Sequence, residues 1–436
     1  MHILLLYHQK PRPQRKAISG HLEAFGKFGG SHQIAYWNIA YGLPPFLEKA
    51  GFDAILFHFT FFLPNINQPF SGMFQKWQKL KSVPVYKAAL VQDEYVNTRY
   101  LCDFFREFGI SEVFTCLPES LHQVVYPSES TGIKHYHTVL TGYIDEEMLR
   151  SYSQYALPHS QRPLDIAYRA RKMPYNLGFF GTYKWRLTEI FQKATEGLGF
   201  RTDLSNDPNK FIFGDGWYRF VGSTRTMLGC EGGSSLHDPD GSIRRCCEKF
   251  LLENPQASFE EVRDHCFAGR EGSFPYYALS PRHFEAAVSK TCQVLVEGDY
   301  NGIFLPDVHY IPVSKDWSNL EDVLKKIADT DYCEKMADRA FEDIVASGKY
   351  TYEKFVQIVL DMLEEHRRGQ SEAVPSAGSL GLIRFFHRNP WLYAPGLFAK
   401  AMLIEWTKRT IWRLGIDKTR WFRWLEWKLT GTNATR

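Results

Sequence analysis

The chain has 436 residues, 44% hydrophobic and 23% charged, which is ordinary for a soluble globular protein but longer than a single hydrophobic core supports. No run of about 18 uncharged apolar residues is present, so a membrane-spanning helix is not expected. The net charge of +3 hides an asymmetry, because residues 381–436 hold 11 Lys/Arg and 3 Asp/Glu, a net of +8, which leaves −5 for the rest.

Residues 1–150 alternate short apolar runs with polar or helical segments. The first run is too short for a signal peptide and lacks a small-residue cleavage site, so it is predicted to be a buried strand. Alternating strands and helices predict a parallel sheet with crossover helices. The predicted strands are HILLLYH, DAILFHF, VYKAALV, EVFTCL and HTVL.

Several polar residues follow the predicted strands of this first half. They are His8, Lys10, His58, Asp93 and Glu94. The carboxyl ends of parallel strands face the ligand cleft, so these side chains are candidates for contacting a ligand. For any one of them, a solvated loop residue or a helix cap is the simpler interpretation.

The alternation pauses over residues 151–173 and restarts as a second α/β unit that extends to residue 368. Its last helix could return to the first half. Two such halves place a ligand cleft between them. Residues 369–380 are rich in small residues and are predicted to be a linker before the basic tail.

The segment GFFGTYK, from Gly178 to Lys184, is predicted to connect a strand to a helix. Small residues, Gly181 among them, let backbone amides approach an anion, and Lys184 supplies positive charge. Arg171 is a further cationic candidate just upstream. The alternative is a plain tight turn, since Gly-x-x-Gly alone is a weak signal.

A second glycine-rich segment follows the apolar pair Met-Leu and contains Glu231, Gly232 and Gly233. Paired glycines allow a backbone to approach a ligand closely, and Glu231 could accept hydrogen bonds from ligand hydroxyls. The alternative is a loop whose glycines need positive φ.

The segment SPRHFEAA begins at Ser280 and is predicted to open a helix. Ser280 suits the N-cap, where its hydroxyl can accept an amide, and proline suits the first helical position. The positive end of the helix dipole beside Arg282 and His283 predicts a phosphate or pyrophosphate site. Glu285 lies about one turn later, within reach of hydroxyls on the phosphate-bearing ligand. The alternative is an ordinary capped surface helix.

The run SPRHFEAAVSKTCQVLVEGDYNGIF resembles the donor-binding segment of group 1 glycosyltransferases of the GT-B fold, in the branch related to spore-maturation-type and bacterial surface-polysaccharide enzymes. The resemblance is strongest over residues 175–352 and does not cover the tail. It implies two Rossmann-like domains facing a cleft, with an acceptor domain at 1–150 and a donor domain at 151–368.

The same resemblance implies transfer of a sugar from a nucleotide-diphosphate donor to a hydroxyl of a glycan or lipid-linked acceptor, without a metal. Glu285 would bind the ribose, while Arg282 and Lys184 would stabilise the departing diphosphate. One departure is that many members carry a second glutamate where this chain has Tyr277. Glu231 is the candidate to replace it in part.

On the acceptor side the implied roles are less specific. If the reaction inverts, Asp93 is the candidate to deprotonate the acceptor hydroxyl and Glu94 is the near alternative. The remaining acceptor-side candidates are His8, Lys10 and His58.

The motif Asp238-Pro239-Asp240-Gly241 suggests two metal sites, neither of which fits. A calcium loop would need ligands where Leu236 and Cys247 stand. The manganese-binding Asp-x-Asp belongs to the single-sheet glycosyltransferase fold, which the two halves do not suggest. Asp-Pro-Asp-Gly is strong turn chemistry, so a turn is predicted, and neither a metal nor another cofactor is expected.

Two rival functions stay open. One is a nucleotide-sugar epimerase of the same fold, although an epimerase has no need for a membrane-seeking tail. The other is a scaffold that binds nucleotide sugars without turnover, which the substitution at Tyr277 keeps possible.

The tail, residues 381–436, contains six of the 11 tryptophans interleaved with lysines and arginines. Such a helical tail is typical of an interfacial anchor on anionic lipid, although packing on the body or on a second copy is an alternative. Basic aromatic segments also bind nucleic acid, which we favour least. Eight cysteines without a C-x-x-C pair fit a reducing cytosol, so we expect a cytoplasmic protein at the inner face of the plasma membrane.

Overall fold

A computed structural model of the chain supports a detailed description of most of the sequence. The described residues are 1–9, 16–43, 47, 51–62, 77–368, 377–396, 399, 402, 403 and 406.

The first half is built on a parallel sheet of six strands in the order β2-β1-β3-β4-β5-β6. Four consecutive residues of β1, from Ile3 to Leu6, are fully buried, as expected for a strand covered on both faces. The strands are β1 His2–Tyr7, β2 Gln33–Asn38, β3 Ala54–Phe57, β4 Tyr86–Leu90, β5 Glu112–Thr115 and β6 His135–Thr138. The first four predicted strands are confirmed, the predicted HTVL overlaps β6 only at His137 and Thr138, and β2 was not predicted.

Helices cover both faces of this sheet. The helix Thr98–Phe108 ends at Gly109, which has a φ of 68° and whose backbone N–H donates a hydrogen bond to the Phe105 carbonyl. The helices of the first half are α1 Lys16–Phe28, α2 Phe59–Phe62, α3 Gln78–Lys81, α4 Thr98–Phe108, α5 Glu119–Val125 and α6 Ser128–Thr131.

The second half contains a parallel sheet of five strands in the order β13-β12-β9-β7-β8 and a separate antiparallel pair, β10-β11. Its strands are β7 Leu164–Arg169, β8 Thr202–Ser205, β9 Thr224–Gly229, β10 Gly232–Ser234, β11 Tyr276–Ala278, β12 Cys292–Val296 and β13 Tyr310–Val313. The predicted fold class, two α/β units with parallel sheets, is confirmed.

The helices that follow β6 surround the second sheet and then return to the first. They are α7 Glu146–Tyr155, α8 Gly178–Ala194, α9 Asp215–Gly222, α10 Ser242–Glu253, α11 Phe259–Cys266, α12 Pro281–Val288, α13 Leu320–Ala328, α14 Thr330–Ala340, α15 Tyr352–His366, α16 Ala377–Arg388 and α17 Pro390–Tyr393.

The α15 helix packs on the first half, not the second. Its Phe355 and Val359 belong to the hydrophobic core that contains β1, and the Phe355 ring meets Phe25 of α1 at 5.7 Å. The chain therefore crosses between the halves twice, and residues 352–366 belong structurally with the first.

The α16 helix begins at Ala377, inside the segment predicted to be a linker, whose residues 369–376 lie outside the described part. Its Ile383 is fully buried in the first core, and the His387 Nε2 lies 2.8 Å from the Tyr7 hydroxyl. The start of the predicted tail is therefore part of the folded body. Within the described part of the chain, no helix has the length and apolar character needed to cross a bilayer.

One pair of cysteines, which the spacing did not indicate, forms a disulfide. Cys246 of α10 and Cys266 at the end of α11 are bonded, with their Cα atoms 5.6 Å apart. The crosslink joins two neighbouring helices on the surface of the second half. This disulfide runs against the expectation that the thiols are all reduced.

Candidate functional site

The two halves meet where the loop after β6 touches the start of α12. The Thr141 hydroxyl donates a 2.5 Å hydrogen bond to the carbonyl of Leu279. Gly142 lies so close to Pro281 that an added Cβ would be 2.8 Å from the proline ring. The helix end for which the sequence predicts a phosphate site therefore lies at the interface between the halves.

A second seam joins the loop after β4 to the Asp-Pro-Asp-Gly segment. The amide of Asp238 donates to the Tyr95 carbonyl, and the amide of Asn97 donates to the Asp238 carbonyl, both at 2.8 Å. These bonds hold the loop that carries Asp93 against the second half of the protein.

The Asp-Pro-Asp-Gly segment is a turn, as predicted. The buried Asp238 carboxylate accepts hydrogen bonds from the amides of Ile243 and Arg244, at 3.1 and 2.9 Å. Asp240 accepts one from the amide of Ser242 at 3.0 Å. Both carboxylates thus accept hydrogen bonds from amides at the start of α10, which have no acceptor within the helix.

Asp93 follows β4 and points into the cleft. It has a φ of 59°, a left-handed conformation that is uncommon outside glycine and that Asp and Asn tolerate best. Its side chain reaches solvent through the cleft, but the protein atoms around it partly desolvate the carboxyl and so raise its pKa, while Lys184 acts in the opposite sense. Asp93 is therefore close to the cationic wall of the second half.

That wall contains three basic side chains. Desolvation lowers the pKa of the Lys184 ammonium, the Cys230 thiol opposes this, and Arg282 and Arg171 lower it further, whereas Asp93 raises it. Groups that perturb one another in this way share one small region. The cluster of Lys184, Arg282 and Arg171 is called the cationic wall below.

Arg282 is held in place by two contacts. Its Nη1 donates a 2.5 Å hydrogen bond to the Arg169 carbonyl at the carboxyl end of β7, and its guanidinium lies 5.1 Å from the Trp217 ring centre. Ser280 has the extended φ and ψ of an N-cap, but its hydroxyl makes no capping hydrogen bond. The predicted cap position is therefore right, while the predicted cap bond is absent.

Glu285 lies one turn further along α12 and is half-buried. Its Oε2 accepts a 2.8 Å hydrogen bond from the indole Nε1 of Trp217. Desolvation raises the pKa of Glu285, and the Trp217 bond and Arg282 both oppose that rise. Trp217, in the helix Asp215–Gly222, was missed by sequence reasoning, although the tryptophan after the two glycines of FIFGDGW was a usable signal.

The GFFGTYK segment differs from its prediction, because α8 begins at Gly178 itself and Gly181 and Lys184 are helical. The Glu271 carboxylate accepts hydrogen bonds from the Phe179 amide at 3.0 Å and the Ser235 hydroxyl at 2.5 Å. A protein carboxylate thus occupies the helix end where a ligand anion was expected.

Gly181 is buried within α8 rather than facing a ligand. An added Cβ at Gly181 would be 2.7 Å from the side chain of Leu177, so the glycine permits close packing inside the second half. Lys184 is one turn further on and is the member of this segment that joins the cationic wall.

The second glycine pair forms the short strand β10, which pairs with β11. Gly233 has a φ of 121°, and an added Cβ would be 1.9 Å from the Tyr276 carbonyl oxygen, so only glycine fits. Its neighbour Gly232 faces the cationic wall, with the Lys184 Nζ 3.9 Å from its added Cβ. Gly233 is therefore required for its positive φ, which is the alternative given for this segment, whereas Gly232 lies beside the cationic wall.

Glu231 is buried and its Oε1 accepts a 2.8 Å hydrogen bond from the amide of Tyr300. Burial raises the pKa of this carboxyl to about 7. Tyr300 and Asn301 both have positive φ, the left-handed backbone conformation. The Asn301 Oδ1 accepts a 2.9 Å hydrogen bond from the Leu279 amide. Glu231 therefore anchors the loop that fixes the approach to α12.

His283 does not face the cleft. Its ring is buried, with Nδ1 2.9 Å from the Gln293 Oε1, and burial lowers its pKa to about 4. An uncharged, buried imidazole cannot supply the positive charge that its position beside the helix end suggested. The prediction of a donor-binding role is corrected on this ground.

Glu94 is also directed into the core. Its carboxylate accepts hydrogen bonds from the Thr115 hydroxyl at 2.5 Å, the Tyr126 hydroxyl at 3.0 Å and the Cys116 amide at 3.1 Å. Burial raises its pKa to about 7. Since the carboxylate holds three internal donors, Glu94 is not placed to act on an acceptor.

The acceptor-side histidines differ from each other. His58 is fully buried between His21, 3.0 Å away, and Thr60, 2.9 Å away, and burial keeps its pKa well below the ordinary value. His8 is half-buried and lines a small cavity at the carboxyl end of β1. Lys10 lies outside the described residues.

No protein-family model matches the sequence, and no curated protein matches it. Solved structures do. An alpha-glucosyltransferase in complex with UDP and a 13-mer DNA is 10% identical, with a TM-score of 0.50 over 84% of this chain and 99% of that one. HepE from Anabaena in complex with UDP-glucose is 10% identical, with a TM-score of 0.46 over 84% and 100%.

Sucrose-phosphate synthase from Thermosynechococcus elongatus is 12% identical, with a TM-score of 0.44 over 84% of this chain and 98% of that one. Identities this low establish the architecture alone. The chain has the GT-B fold, in which two Rossmann-like domains face a cleft.

Proposed function

We propose that this protein is a glycosyltransferase that uses a nucleotide-diphosphate sugar as donor. The observations that carry the proposal are the Lys184 Nζ, which lies beside Gly232, and Arg282 in the first turn of α12, with Glu285 one turn further on. A helix end and adjoining cations form a site for a diphosphate, and a nearby carboxylate can bind ribose hydroxyls. The start of α12 lies where the two halves meet, at the contacts of Thr141 with Leu279 and of Gly142 with Pro281.

The donor roles follow from these positions. The cationic wall would stabilise negative charge that builds up on the departing diphosphate, which is often the largest single catalytic term. Glu285, held by Trp217, would accept hydrogen bonds from the ribose. The SPRHFEAA segment carries both Arg282 and Glu285. It also resembles the donor segment of group 1 enzymes, which supports the same assignment.

The acceptor would approach from the first half. Asp93 is the remaining candidate for a general base, because its carboxyl is in the cleft and its pKa is raised. The resemblance to surface-polysaccharide enzymes supports a glycan or lipid-linked hydroxyl as acceptor. Stereochemical inversion is a condition of this role.

The proposal is tested by turnover. Nucleoside diphosphate released from a panel of nucleotide sugars is measured with and without pooled bacterial glycan and lipid-linked acceptors. UDP-sugars come first, because the alpha-glucosyltransferase of the same fold was solved with UDP. Acceptor-dependent release supports transfer, a changed sugar without release supports the epimerase, and binding without either supports the scaffold.

We also propose that catalysis needs no divalent metal in the donor cleft, since the Asp238 and Asp240 carboxylates are committed to helix amides. Turnover after removal of Mg²⁺ and Mn²⁺ should equal turnover with either ion present. Activity lost with these ions and restored by Mn²⁺ would contradict the proposal.

The tail supports a second, independent proposal of attachment to an anionic membrane surface at the inner face of the plasma membrane. Trp391 is 51% exposed, Leu403 61% and Trp406 66%, in a segment rich in lysine and arginine. Exposed aromatic and apolar groups beside cations suit the lipid headgroup region. Association with a second copy of the chain is the alternative occupant of the same surface.

A further inference from the structure

A polar cluster lies at the amino-terminal edge of the first sheet, at the opposite end of the strands from the donor cleft. It brings together Glu112, the first residue of β5, His137 of β6 and His366, the last residue of α15. Residues 254 positions apart thus meet at one point.

The three side chains converge on a single carboxylate oxygen. The Glu112 Oε1 is 2.8 Å from the His137 Nε2 and 2.9 Å from the His366 Nδ1. One ligand-type atom from each residue lies within 4.8 Å of the other two. The ring of His135 stacks on His366, with centres 3.6 Å apart, and supplies a further imidazole at the edge of the cluster.

The second oxygen of the Glu112 carboxylate is buried as well. Glu112 is fully buried, and among the described residues its Oε2 has no hydrogen bond. The Tyr86 hydroxyl is buried beside the Glu112 carboxylate and is the group that can donate a hydrogen bond to it.

We propose that Glu112, His137 and His366 bind a divalent transition-metal ion of the Zn²⁺ class. Two imidazole nitrogens and one carboxylate oxygen are a ligand set that such ions prefer over Mg²⁺ or Ca²⁺. Metal–ligand bonds of about 2.0–2.2 Å in a tetrahedron place ligand atoms roughly 3.3–3.5 Å apart. To accept an ion, each imidazole–carboxylate spacing would have to open by about half an ångström, and the two imidazole nitrogens, which lie within 4.8 Å of each other, would have to reach the same spacing.

The site would act on structure rather than on sugar chemistry. His366 ends α15, the helix that returns from the second half, and Glu112 and His137 lie on adjacent strands of the first sheet. A bound ion would fasten the end of α15 to that sheet. The site is separate from the donor cleft and compatible with metal-independent catalysis there.

A second cluster in the described residues provides a control. Cys246, His265 and Cys266 also group their ligand-type atoms, but the two sulfurs are joined as a disulfide and cannot bind metal as thiolates. Substituting His265 should therefore leave metal binding unchanged, whereas substituting His137 or His366 should not.

The test uses the untagged full chain, stripped of metal with a chelator and titrated with Zn²⁺ by calorimetry. We expect one Zn²⁺ per chain, an affinity at least about tenfold weaker in H137Q and H366Q, and wild-type affinity in H265Q. No saturable Zn²⁺ binding by the wild type, or equal affinity in all four proteins, would overturn the proposal.

Co²⁺ absorption of the wild type makes the test independent of how well the variants fold. Weak visible bands without an intense near-ultraviolet thiolate band support nitrogen and oxygen ligands. A strong thiolate-to-metal band would assign the ion to cysteines and refute the site.

Discussion

The indole Nε1 of Trp217 donates a 2.8 Å hydrogen bond to Oε2 of Glu285, joining residues 68 positions apart. The bond fixes the orientation of a half-buried carboxylate one turn from the amino end of α12. The same indole ring lies 5.1 Å from the Arg282 guanidinium. One tryptophan therefore positions both residues proposed to bind the ribose and the phosphates.

The change Glu285→Ala should weaken nucleotide binding by roughly 1.5–3 kcal/mol, the range for hydrogen bonds to charged groups, while the protein stays folded. Trp217→Phe should have a smaller effect, because it removes the orientation of the carboxylate but not the carboxylate. Isothermal calorimetry measures both, and Glu189→Ala, an exposed acid on α8, is the control. Unchanged affinity in folded Glu285→Ala would refute the ribose assignment.

The two adjacent acids after β4 should behave in opposite ways. Asp93→Asn should reduce kcat by about 10²–10⁴-fold with an unchanged melting temperature, because asparagine tolerates the left-handed backbone and only the base is lost. Glu94→Ala should instead lower the melting temperature, since three buried donors lose their acceptor at roughly 1–3 kcal/mol each. Stable but fully active Asp93→Asn would exclude Asp93 as the base.

The pH profile supplies the control for Asp93. A base acts when deprotonated, so kcat/KM should fall as pH drops through a pKa higher than the ordinary value for aspartate, as desolvation requires. Lys184 lowers that pKa, so Lys184→Met should move the acid limb to higher pH, whatever its effect on the maximum rate. If the acid limb does not move, Lys184 does not influence the pKa of Asp93, which would contradict the placement of the two residues in one site.

Local sequence patterns were sufficient for the fold. Strands and helix ends depend on a few neighbouring residues, such as the apolar run of β1 and the glycine after α4. Such features can therefore be recognised in the sequence. The start of α12 was predicted for the same reason, because proline and the N-cap position are local features.

The errors in the site have a long-range origin. Glu271 occupies the amino end of α8 from 92 residues away, and burial keeps the His283 ring, 2.9 Å from the Gln293 Oε1, uncharged. Neither effect can be recognised from the residues of the local motif whose role it changes. Glu94 and Asp93 are neighbours in sequence, yet the direction of each side chain is set by the strands that it faces.

Truncation separates the packed and exposed parts of the tail. A chain lacking residues 397–436 should fold and bind nucleotide but no longer sediment with anionic vesicles, since it loses most of the basic residues and tryptophans of the tail. A chain lacking 377–436 should be less stable, because the buried Ile383 and the Tyr7–His387 contact are removed.

The attraction of the full chain to vesicles should weaken at high salt, since each basic residue near the surface contributes about 1 kcal/mol that ions screen. Equal vesicle binding by the 1–396 chain would place the anchor elsewhere. A change in oligomeric state on truncation would instead assign the exposed surface to a second copy.

The cationic wall makes the most direct prediction, because a nucleoside lacks the charge that the wall is proposed to bind. Lys184→Ala and Arg282→Ala should each weaken a nucleoside diphosphate by about 1.5–3 kcal/mol, or roughly 10–150-fold, and leave the matching nucleoside unchanged. Lys193→Ala, an exposed lysine in the last turn of the same α8 helix, should alter neither ligand.

The decisive measurement is therefore the ratio of dissociation constants for nucleoside diphosphate and nucleoside, determined by calorimetry for the wild type and these three variants. We predict a ratio that strongly favours the diphosphate in the wild type and in Lys193→Ala and that collapses in Lys184→Ala and Arg282→Ala. A wild type that binds no nucleoside diphosphate, or variants that retain the wild-type ratio, would contradict the account.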